Sequence, residues 1–335
     1  MSVEVPTGGY TDVHRAFLQA LLSRQTIDYE SAKEPISNIL SAANEERPTL
    51  PGDVTMEIFE DLINSISDAI TPFDFEIRSS KNQRNGERIY ALVNTTSDPM
   101  TQMATVHTAD EIAFLKRVLD CMFETNNTLE AEVMAVPSMA AIQLRKAEGR
   151  RDSGQQTQAT QNGAAGKAAD ITMQQAERVL ESLVNEGWLD LSKNDFYSLS
   201  QRGLMELRGW LEITYNEPGE EDEEDEEPVH RKIKTCSACR EIITVGQRCP
   251  ELACHGRLHN HCTNTLWRAQ RERQECPICK TPWQDAPPVG ERAARHARRA
   301  RGSNGQSGRR STNGRRSQPQ ATNGAGSDGD EDLYA

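Results

Sequence analysis

The stretch "CSACREIITVGQRCPELACHGRLHNHC" occupies residues 236–262, and "CPICK" follows at residues 276–280. Together they bring seven cysteines and three histidines into 44 residues. Two ligands with two residues between them can hold one Zn²⁺ from a tight turn, and four soft or borderline ligands complete a closed tetrahedron. Eight such ligands predict two zinc sites, and a segment this short with few large apolar groups needs the metal in order to fold.

The choice of the single histidine ligand follows from spacing. His259 lies three residues before Cys262, the usual separation within a ligand pair, whereas His255 and His261 directly adjoin cysteines. We therefore predict that His255 and His261 are polar surface residues. A cross-braced arrangement assigns zinc one to Cys236, Cys239, His259 and Cys262, and zinc two to Cys249, Cys254, Cys276 and Cys279.

Charge is strongly segregated along the 335 residues of the chain. The net charge is −13 and the hydrophobic share is 36%, which predicts disordered parts beside two or three compact domains. Residues 217–227 hold nine acidic residues, while residues 289–317 hold nine arginines and one glutamate. We predict an acidic solvated linker over residues 217–230 and a disordered Arg-rich tail over residues 286–335.

Membrane and secreted proteins are both disfavoured. The chain has no apolar run near the roughly eighteen residues that cross a bilayer, so no membrane contact is expected. Its start, "MSVEVPTGGYTDVHR", lacks the basic-then-apolar order of a secretory signal, so clustered cysteines should bind metal rather than form disulfides. We interpret Cys121, which lies outside the cluster, as a small buried hydrophobe on the helix "EIAFLKRVLDCMFE".

Residues 10–98 have the pattern of three helices and a β-hairpin. "TDVHRAFLQALLSR" predicts a helix capped by Thr11 or Asp12, and a weaker helical stretch follows near residues 30–43. "VTMEIFEDLINSISDAI" predicts a third helix, and "FDFEIRS" and "ERIYALVN" predict strands joined by the polar turn "SKNQRNG". The predicted apolar faces are Val13, Phe17, Leu18, Leu21 and Leu22 on the first helix, and Ile58, Phe59, Leu62, Ile63, Ile66 and Ile70 on the third. This order predicts a winged-helix domain.

Residues 107–216 repeat that order. Thr108 with Glu111, and Thr172 with Gln175, form capping boxes that open "ADEIAFLKRVLDCMFE" and "MQQAERVLESLVNEG". A short helix is expected over residues 138–146, "WLDLSKNDFYSLS" predicts a hairpin, and "GLMELRGWLEITY" predicts a closing helix. A Gly/Gln/Thr-rich stretch near residues 149–168 is expected to be a disordered insertion. We predict a second winged-helix domain.

The third helix of each unit carries the wrong charge for DNA. Winged helices often place this helix in the major groove, where lysine and arginine neutralise phosphates. Here the acidic residues of the two helices outnumber a single basic one, Arg178. The acidic residues are Glu57, Glu60, Asp61 and Asp68 in the first unit, and Glu177, Glu181 and Glu186 in the second. We expect both units to dock onto proteins.

The ligand order of four cysteines, one histidine and three cysteines is shared by variant RING fingers and by PHD fingers, which bind histone tails. PHD fingers usually carry an aromatic residue two positions before the seventh ligand, where this chain has Gln274. RING fingers often have proline after the seventh ligand and a basic residue after the eighth, as Pro277 and Lys280 do here. Trp267 also fits the aromatic residue of a RING central helix, so the context favours a RING.

Closed zinc sites leave no position for a reacting water, so the metals of a RING are structural. Such a module resembles ligases that hold a charged ubiquitin-conjugating enzyme with its thioester poised for attack, which is catalysis by positioning. Many RINGs have a large aliphatic residue in place of Ala238, which predicts weak activity for the isolated chain. The candidate docking residues are Ala238, Trp267, Pro277, Ile278 and Lys280.

Three further stretches complete a wider resemblance. They are "YTDVHRAFLQALLSR", "YALVNTTSDPMTQMAT" and "AERVLESLVNEGWL". With the variant RING at residues 231–285, they resemble the non-structural maintenance of chromosomes element 1 family over about residues 10–285. The chain departs from that family's pattern in the four residues between Cys249 and Cys254, where two would be commoner.

The resemblance implies a nuclear subunit of the structural-maintenance-of-chromosomes five–six complex, which acts in DNA repair and recombination. It implies a MAGE-type partner gripped by the two winged helices, a kleisin partner, and a RING-type ubiquitin ligase whose activity depends on the MAGE-type partner. Two alternatives stay open, a non-catalytic scaffold stabilised by zinc and a PHD-like histone-tail reader. The tail is equally consistent with a nuclear import signal, a weak DNA contact or a solubilising extension.

Overall fold

A computed structural model describes residues 9–24, 26–44, 46–96, 99–146, 170–216, 231–271 and 273–296. These residues form helices and three small three-stranded sheets, which confirms the predicted α+β class. None of the helices in these ranges combines the length and the apolar character that a bilayer crossing demands. The predicted insertion, the whole of the predicted linker and most of the predicted tail lie outside the described residues.

The first unit contains three helices and one sheet. Its elements are α1 (Asp12–Ser23), β1 (Ile27–Asp28), α2 (Tyr29–Ala43), α3 (Met56–Ile70), β2 (Phe75–Lys81) and β3 (Arg88–Asn94). The sheet is antiparallel in the order β1-β3-β2. The three predicted helices and the hairpin are confirmed, whereas β1 was missed because a two-residue strand has no alternation to detect.

Burial follows helical periodicity in this unit. All six predicted core residues of α3 are buried, and Thr11 is the N-cap of α1. On α1 the positions four apart, Val13, Phe17 and Leu21, are buried, but Leu22 is 62% exposed. The prediction that Leu22 faces the core is wrong, because it lies about 100° around the helix from Leu21.

The second unit adds a short helix before the predicted pattern. Its elements are α4 (Pro99–Met103), α5 (Ala109–Asp120), β4 (Val136–Pro137), α6 (Ser138–Gln143), α7 (Met173–Asn185), β5 (Leu189–Leu191), β6 (Phe196–Leu199), α8 (Gln201–Glu206) and α9 (Arg208–Tyr215). The sheet order is β4-β6-β5, and both predicted capping boxes form. The winged-helix description of the two units stays a prediction.

Three helix boundaries in this unit differ from the sequence prediction. After Asp120 the chain continues as a π-helical turn, Cys121–Thr125, and α6 ends at Gln143 rather than at residue 146. The closing segment is two helices, α8 and α9, separated at Leu207. The break keeps both Leu207 and Leu211 in the core, at 1% and 0% exposure.

The zinc domain is built on a third sheet. Its elements are β7 (Gly246–Arg248), β8 (Arg257–Leu258), α10 (Asn260–Ala269) and β9 (Pro288–Val289), in the sheet order β8-β7-β9. The fold therefore continues past residue 285, where the sequence placed the start of a disordered tail. Val289 is 1% exposed and joins Ile233 and Ile242 in one hydrophobic core with the second unit.

The residues that flank the acidic segment lie together. The Asn216 side chain donates to the Ile233 carbonyl oxygen at 2.9 Å and accepts from the Ile233 N–H at 2.8 Å. The second unit and the zinc domain are therefore in direct contact at Asn216 and Ile233.

Candidate zinc centres and their surroundings

The two predicted ligand sets come together as two groups. One is Cys236, Cys239, His259 and Cys262, and the other is Cys249, Cys254, Cys276 and Cys279. Within each group the ligand atoms all lie within 4.8 Å of one another. Ligands alternate along the chain between the groups, which is the predicted cross-brace, and the donor sets are those of structural zinc sites.

Distances within the groups fit a tetrahedral metal. Two sulfurs bound to one Zn²⁺ at about 2.3 Å lie roughly 3.8 Å apart. The sulfurs of Cys249 and Cys279 are 3.5 Å apart, and those of Cys254 and Cys276 are 3.7 Å apart. Burial raises the pKa of the Cys254 thiol, and raises that of Cys262 to about 11, so zinc binding would displace protons from these thiols.

One cysteine pair of each group forms the same tight turn: Cys236 and Cys239 in the first zinc turn (residues 236–240), and Cys276 and Cys279 in the second zinc turn (residues 276–280). The Cys236 N–H donates to the Glu241 carbonyl at 2.8 Å, and the Cys276 N–H donates to the Thr281 carbonyl at 2.8 Å. The residue after the second cysteine is left-handed in both turns, with φ of 66° at Arg240 and 65° at Lys280. Ala238 and Ile278 thus occupy equivalent positions on two copies of one local structure.

The three clustered histidines have different places. The His259 Nδ1 atom lies 3.3 Å from the Cys239 sulfur, so this nitrogen faces the first site. His255 is exposed, whereas the His261 ring stacks on His259 at 5.1 Å between centroids and is half-buried. Neither His255 nor His261 belongs to a ligand group, and only His261 departs from the prediction of a surface residue.

Gly256 lets the second site close. A Cβ atom at this position would lie 2.6 Å from the Cys276 sulfur, which is inside van der Waals contact. Its backbone N–H also points at the Cys254 sulfur, at 3.3 Å. Shortly after the extra residues between Cys249 and Cys254, the backbone at Gly256 therefore packs directly against the sulfurs of two ligands.

The candidate docking residues divide into exposed and buried ones. Ala238, Ile278 and Lys280 are exposed, and Pro277 is half-buried. The Lys280 ammonium donates to the Pro277 carbonyl at 3.1 Å. Trp267 is only 8% exposed and packs against Trp283 at 5.9 Å between ring centroids, so it belongs to the core of the zinc domain.

A buried charge cluster joins the zinc domain to the second unit. Glu132, in the loop before β4, is 1% exposed and accepts from Arg257 Nε at 2.7 Å and from Lys234 Nζ at 2.5 Å. Arg248 Nη1 lies 3.8 Å from the same carboxylate. Three basic side chains of the zinc domain therefore surround one acidic side chain of the second unit.

The pKa shifts in this cluster result from the opposing effects of burial and of neighbouring charges. Burial raises the pKa of Glu132, but the hydrogen bond and charge of Arg257, with Lys234, outweigh it and hold the pKa at about 2. Burial lowers the pKa of Lys234 to about 8, and the nearby Arg257 adds to the effect against the attraction of Glu132. No pattern in the sequence pointed to Glu132, which is an ordinary glutamate in a polar loop.

The acidic faces predicted for the two units are present. The four predicted acidic residues of α3 are exposed, as are Glu177 and Glu181 on α7. Glu186 differs, because it contacts the buried His107, with 3.0 Å between Nε2 and Oε1. Cys121 is half-buried and burial raises its pKa, which agrees with an unreactive thiol.

Comparison with protein-family models gives two matches along the chain. Residues 14–207 match the family described as "Nse1 non-SMC component of SMC5-6 complex". Residues 236–279, from the first predicted zinc ligand to the last, match the family described as "RING-like domain". The second match favours a RING over a PHD finger.

Similar proteins span most of the chain. The human "Non-structural maintenance of chromosomes element 1 homolog" is 22% identical over 276 residues, covering 82% of this chain and 85% of that protein. The Schizosaccharomyces pombe "Non-structural maintenance of chromosomes element 1" is 23% identical over 283 residues, covering 84% of this chain and 96% of that protein. A solved chain of an "Nse1-Nse3-Nse4 complex" is 19% identical with a TM-score of 0.59, covering 82% of this chain and 97% of that one. At that identity the solved chain shows the fold alone.

Proposed function

Because the chain belongs to the family of Nse1 non-SMC components of the SMC5-6 complex, we propose that its zinc domain is a RING-type ubiquitin ligase of that complex. One observation carries the proposal. In a domain that matches the RING-like family, Ile278 and Lys280 stand exposed on the second zinc turn, where a conjugating enzyme can reach them. The left-handed backbone conformation of Lys280, with φ of 65°, sets the direction in which its side chain leaves the backbone.

The proposed chemistry is positioning. Zinc, when bound, holds the two turns rigid and supplies no reacting group, because both donor sets are complete with four ligands. Ala238, Pro277 and Ile278 would contact the conjugating enzyme, and Lys280 would donate hydrogen bonds to the enzyme and to ubiquitin. Such restraint favours the conformer from which the thioester is attacked. Trp267 supports this surface from the core, since it is 8% exposed.

The proposed partners follow from the family and from the acidic faces. The similar solved complex contains Nse3 and Nse4, and we extend to this chain a MAGE-type and a kleisin partner. The exposed carboxylates of α3 and α7 disfavour binding to a DNA duplex and favour binding to protein partners. The proposal places the chain in the nucleus, in DNA repair and recombination.

A ubiquitin-discharge assay tests the ligase proposal. The full chain is mixed with ubiquitin-loaded conjugating enzymes, with and without the MAGE-type and kleisin subunits. We expect faster discharge with the partners, lost in Ile278→Ala and Lys280→Ala. The matched controls are Ile213→Ala, at an isoleucine that is 77% exposed on α9, and Arg240→Ala, at the equivalent position of the first zinc turn.

No acceleration across a panel of conjugating enzymes, with the partners present, would contradict a ligase. A second candidate, a non-catalytic scaffold, is favoured by the core that Ile233, Ile242 and Val289 share with the second unit. In that case Ile278→Ala and Lys280→Ala leave function intact, whereas Cys236→Ala weakens assembly with the partner subunits.

A further inference from the structure

Gln83, at the tip of the β2–β3 hairpin, is buried although it lies in a polar turn. Residues 82–87 close the turn through a 2.8 Å bond from the Asn82 N–H to the Glu87 carbonyl and another 2.8 Å bond from the Gly86 N–H to the Asn82 carbonyl. Turn residues of this kind normally face water. Gln83 is only 4% exposed, so its side chain has left the solvent for a specific environment.

That environment is the backbone of the zinc domain. Gln83 Nε2 donates to the Ile242 carbonyl at 2.9 Å. Its Oε1 accepts from the Thr244 N–H at 2.9 Å and from the Val245 N–H at 2.8 Å. Ile242 and Thr244 are 3% and 4% exposed, so these backbone groups have lost contact with water and depend on partners within the protein. Gln83 supplies those partners from more than 150 residues away along the chain.

The segment that Gln83 holds is continuous with the first zinc turn. Ile242 forms a β-bridge with Thr235, and the Ile243 N–H donates to the Lys234 carbonyl at 3.0 Å. The ligand Cys236 follows directly, and its own N–H is held by Glu241 at 2.8 Å. Displacement of Ile242 would therefore move the turn that presents Cys236.

A second contact reaches the other half of the same zinc group. Gly86 has φ of 77°, and a Cβ atom there would lie 3.3 Å from the Cβ of His261. His261 lies between the ligands His259 and Cys262 and stacks on His259. The hairpin tip thus touches both chain segments that supply ligands to the first group.

We infer that Gln83 is a positioning residue for zinc site one, so that retention of this zinc depends on docking of the first unit's hairpin. Site two carries no such dependence, because its neighbours Arg248 and Arg257 are held by the second unit through Leu129 and Glu132. The coupling is reciprocal, since any group that stabilises the zinc-bound conformer is itself stabilised by zinc. The inference concerns metal retention and stands whether or not the domain is a ligase.

Zinc release from the full chain tests the inference. Gln83→Met keeps the length of the side chain and removes its hydrogen bonds, and Asn85→Ala is the control. Asn85 is exposed in the same turn and pairs within it, with Glu87. A chromogenic chelator should remove one of the two zinc ions about tenfold faster from Gln83→Met, since buried backbone groups lose partners worth about that factor. The other zinc ion should leave at the wild-type rate in both variants.

Hydrogen exchange of wild-type protein supplies a second readout that needs no variant. Removal of the zinc ion of site one should speed amide exchange at residues 82–87 as well as at residues 242–245. Equal zinc-release rates for Gln83→Met and Asn85→Ala would overturn the inference. So would hairpin exchange that stays unchanged when site one is emptied, and this measurement stands even where Gln83→Met does not fold.

Discussion

Glu132 and Arg257 form a two-point contact across the boundary between the second unit and the zinc domain. Arg257 Nε lies 2.7 Å from Glu132 Oε2, and Arg257 Nη2 lies 2.5 Å from Glu132 Oε1. Both side chains are 1% exposed. Arg257 also donates to the Cys254 carbonyl at 2.8 Å, which ties a zinc ligand to the same contact. The carboxylate therefore anchors the loop of site two as well as the domain boundary.

Glu132→Gln is expected to destabilise the chain by about 3–5 kcal/mol, because it leaves three buried cations without a counter-charge. Lys234→Met is the matched variant, since it removes one of the three cations and leaves Glu132 paired with Arg257. It should cost little or even stabilise the chain at neutral pH, because burial disfavours the charged form of Lys234, as its lowered pKa shows. Urea unfolding followed by tryptophan fluorescence, with zinc in excess, measures both. If Glu132→Gln and Lys234→Met lowered the free energy of unfolding equally, the cluster could not carry an excess of positive charge.

Lys234 also predicts a dependence of stability on pH. In the folded chain, burial lowers the pKa of Lys234 from 10.5 to about 8. Between these values the unfolded chain binds more protons, so the free energy of unfolding should rise with pH from about 8 towards 10.5. The full rise is about 3 kcal/mol for a shift of this size. Wild type should show a steeper rise than Lys234→Met, and parallel curves would argue against a buried, protonated Lys234 at neutral pH.

Gly256→Ala should remove one zinc ion per chain. The added methyl group would lie 2.6 Å from the Cys276 sulfur, and backbone on this side cannot move without displacing the ligand Cys254. Gly52→Ala is the control, because a Cβ atom there meets nothing within 4 Å. Metal analysis of the purified variants should give about one zinc ion for Gly256→Ala and two for Gly52→Ala. Two zinc ions in both variants would contradict the close packing at site two.

The zinc ligands could be predicted from the sequence because their signal is local. Pairs three residues apart, such as Cys276 and Cys279, can share one metal whatever the rest of the chain does. The apolar face of α3 could be predicted equally well, because apolar residues at helical spacing repeat within one element. The π-helical turn after Asp120 was not, because it changes one hydrogen-bonding step without changing the apolar pattern.

Gln83 and Glu132 could not be found in this way. Each lies in a polar loop, where glutamine and glutamate are ordinary, and each acquires its role from partners more than 100 residues away. The end of the zinc domain was misplaced for the same reason. Pro288 and Val289 form only a two-residue strand, and what orders it is pairing with β7. Tertiary contacts of this kind leave no periodicity in the sequence.

The place of Trp267 leads to a prediction that separates stability from docking. Trp267 is 8% exposed and shares a core with Trp283, Leu258 and the zinc-binding cysteines. Trp267→Ala should therefore cost about 3–5 kcal/mol by removing a large buried ring. Ile278 is 58% exposed, so Ile278→Ala should leave the free energy of unfolding within about 0.5 kcal/mol of wild type.

Urea unfolding and the discharge assay, run on the same preparations, decide the role of the tryptophan. Trp267→Phe keeps an aromatic ring in the core and should recover most of the stability, and with it any ligase activity. Ile278→Ala should lose discharge activity at full stability. A Trp267→Ala protein that is as stable as wild type, yet inactive in discharge, would instead assign Trp267 to the docking surface and remove it from the core.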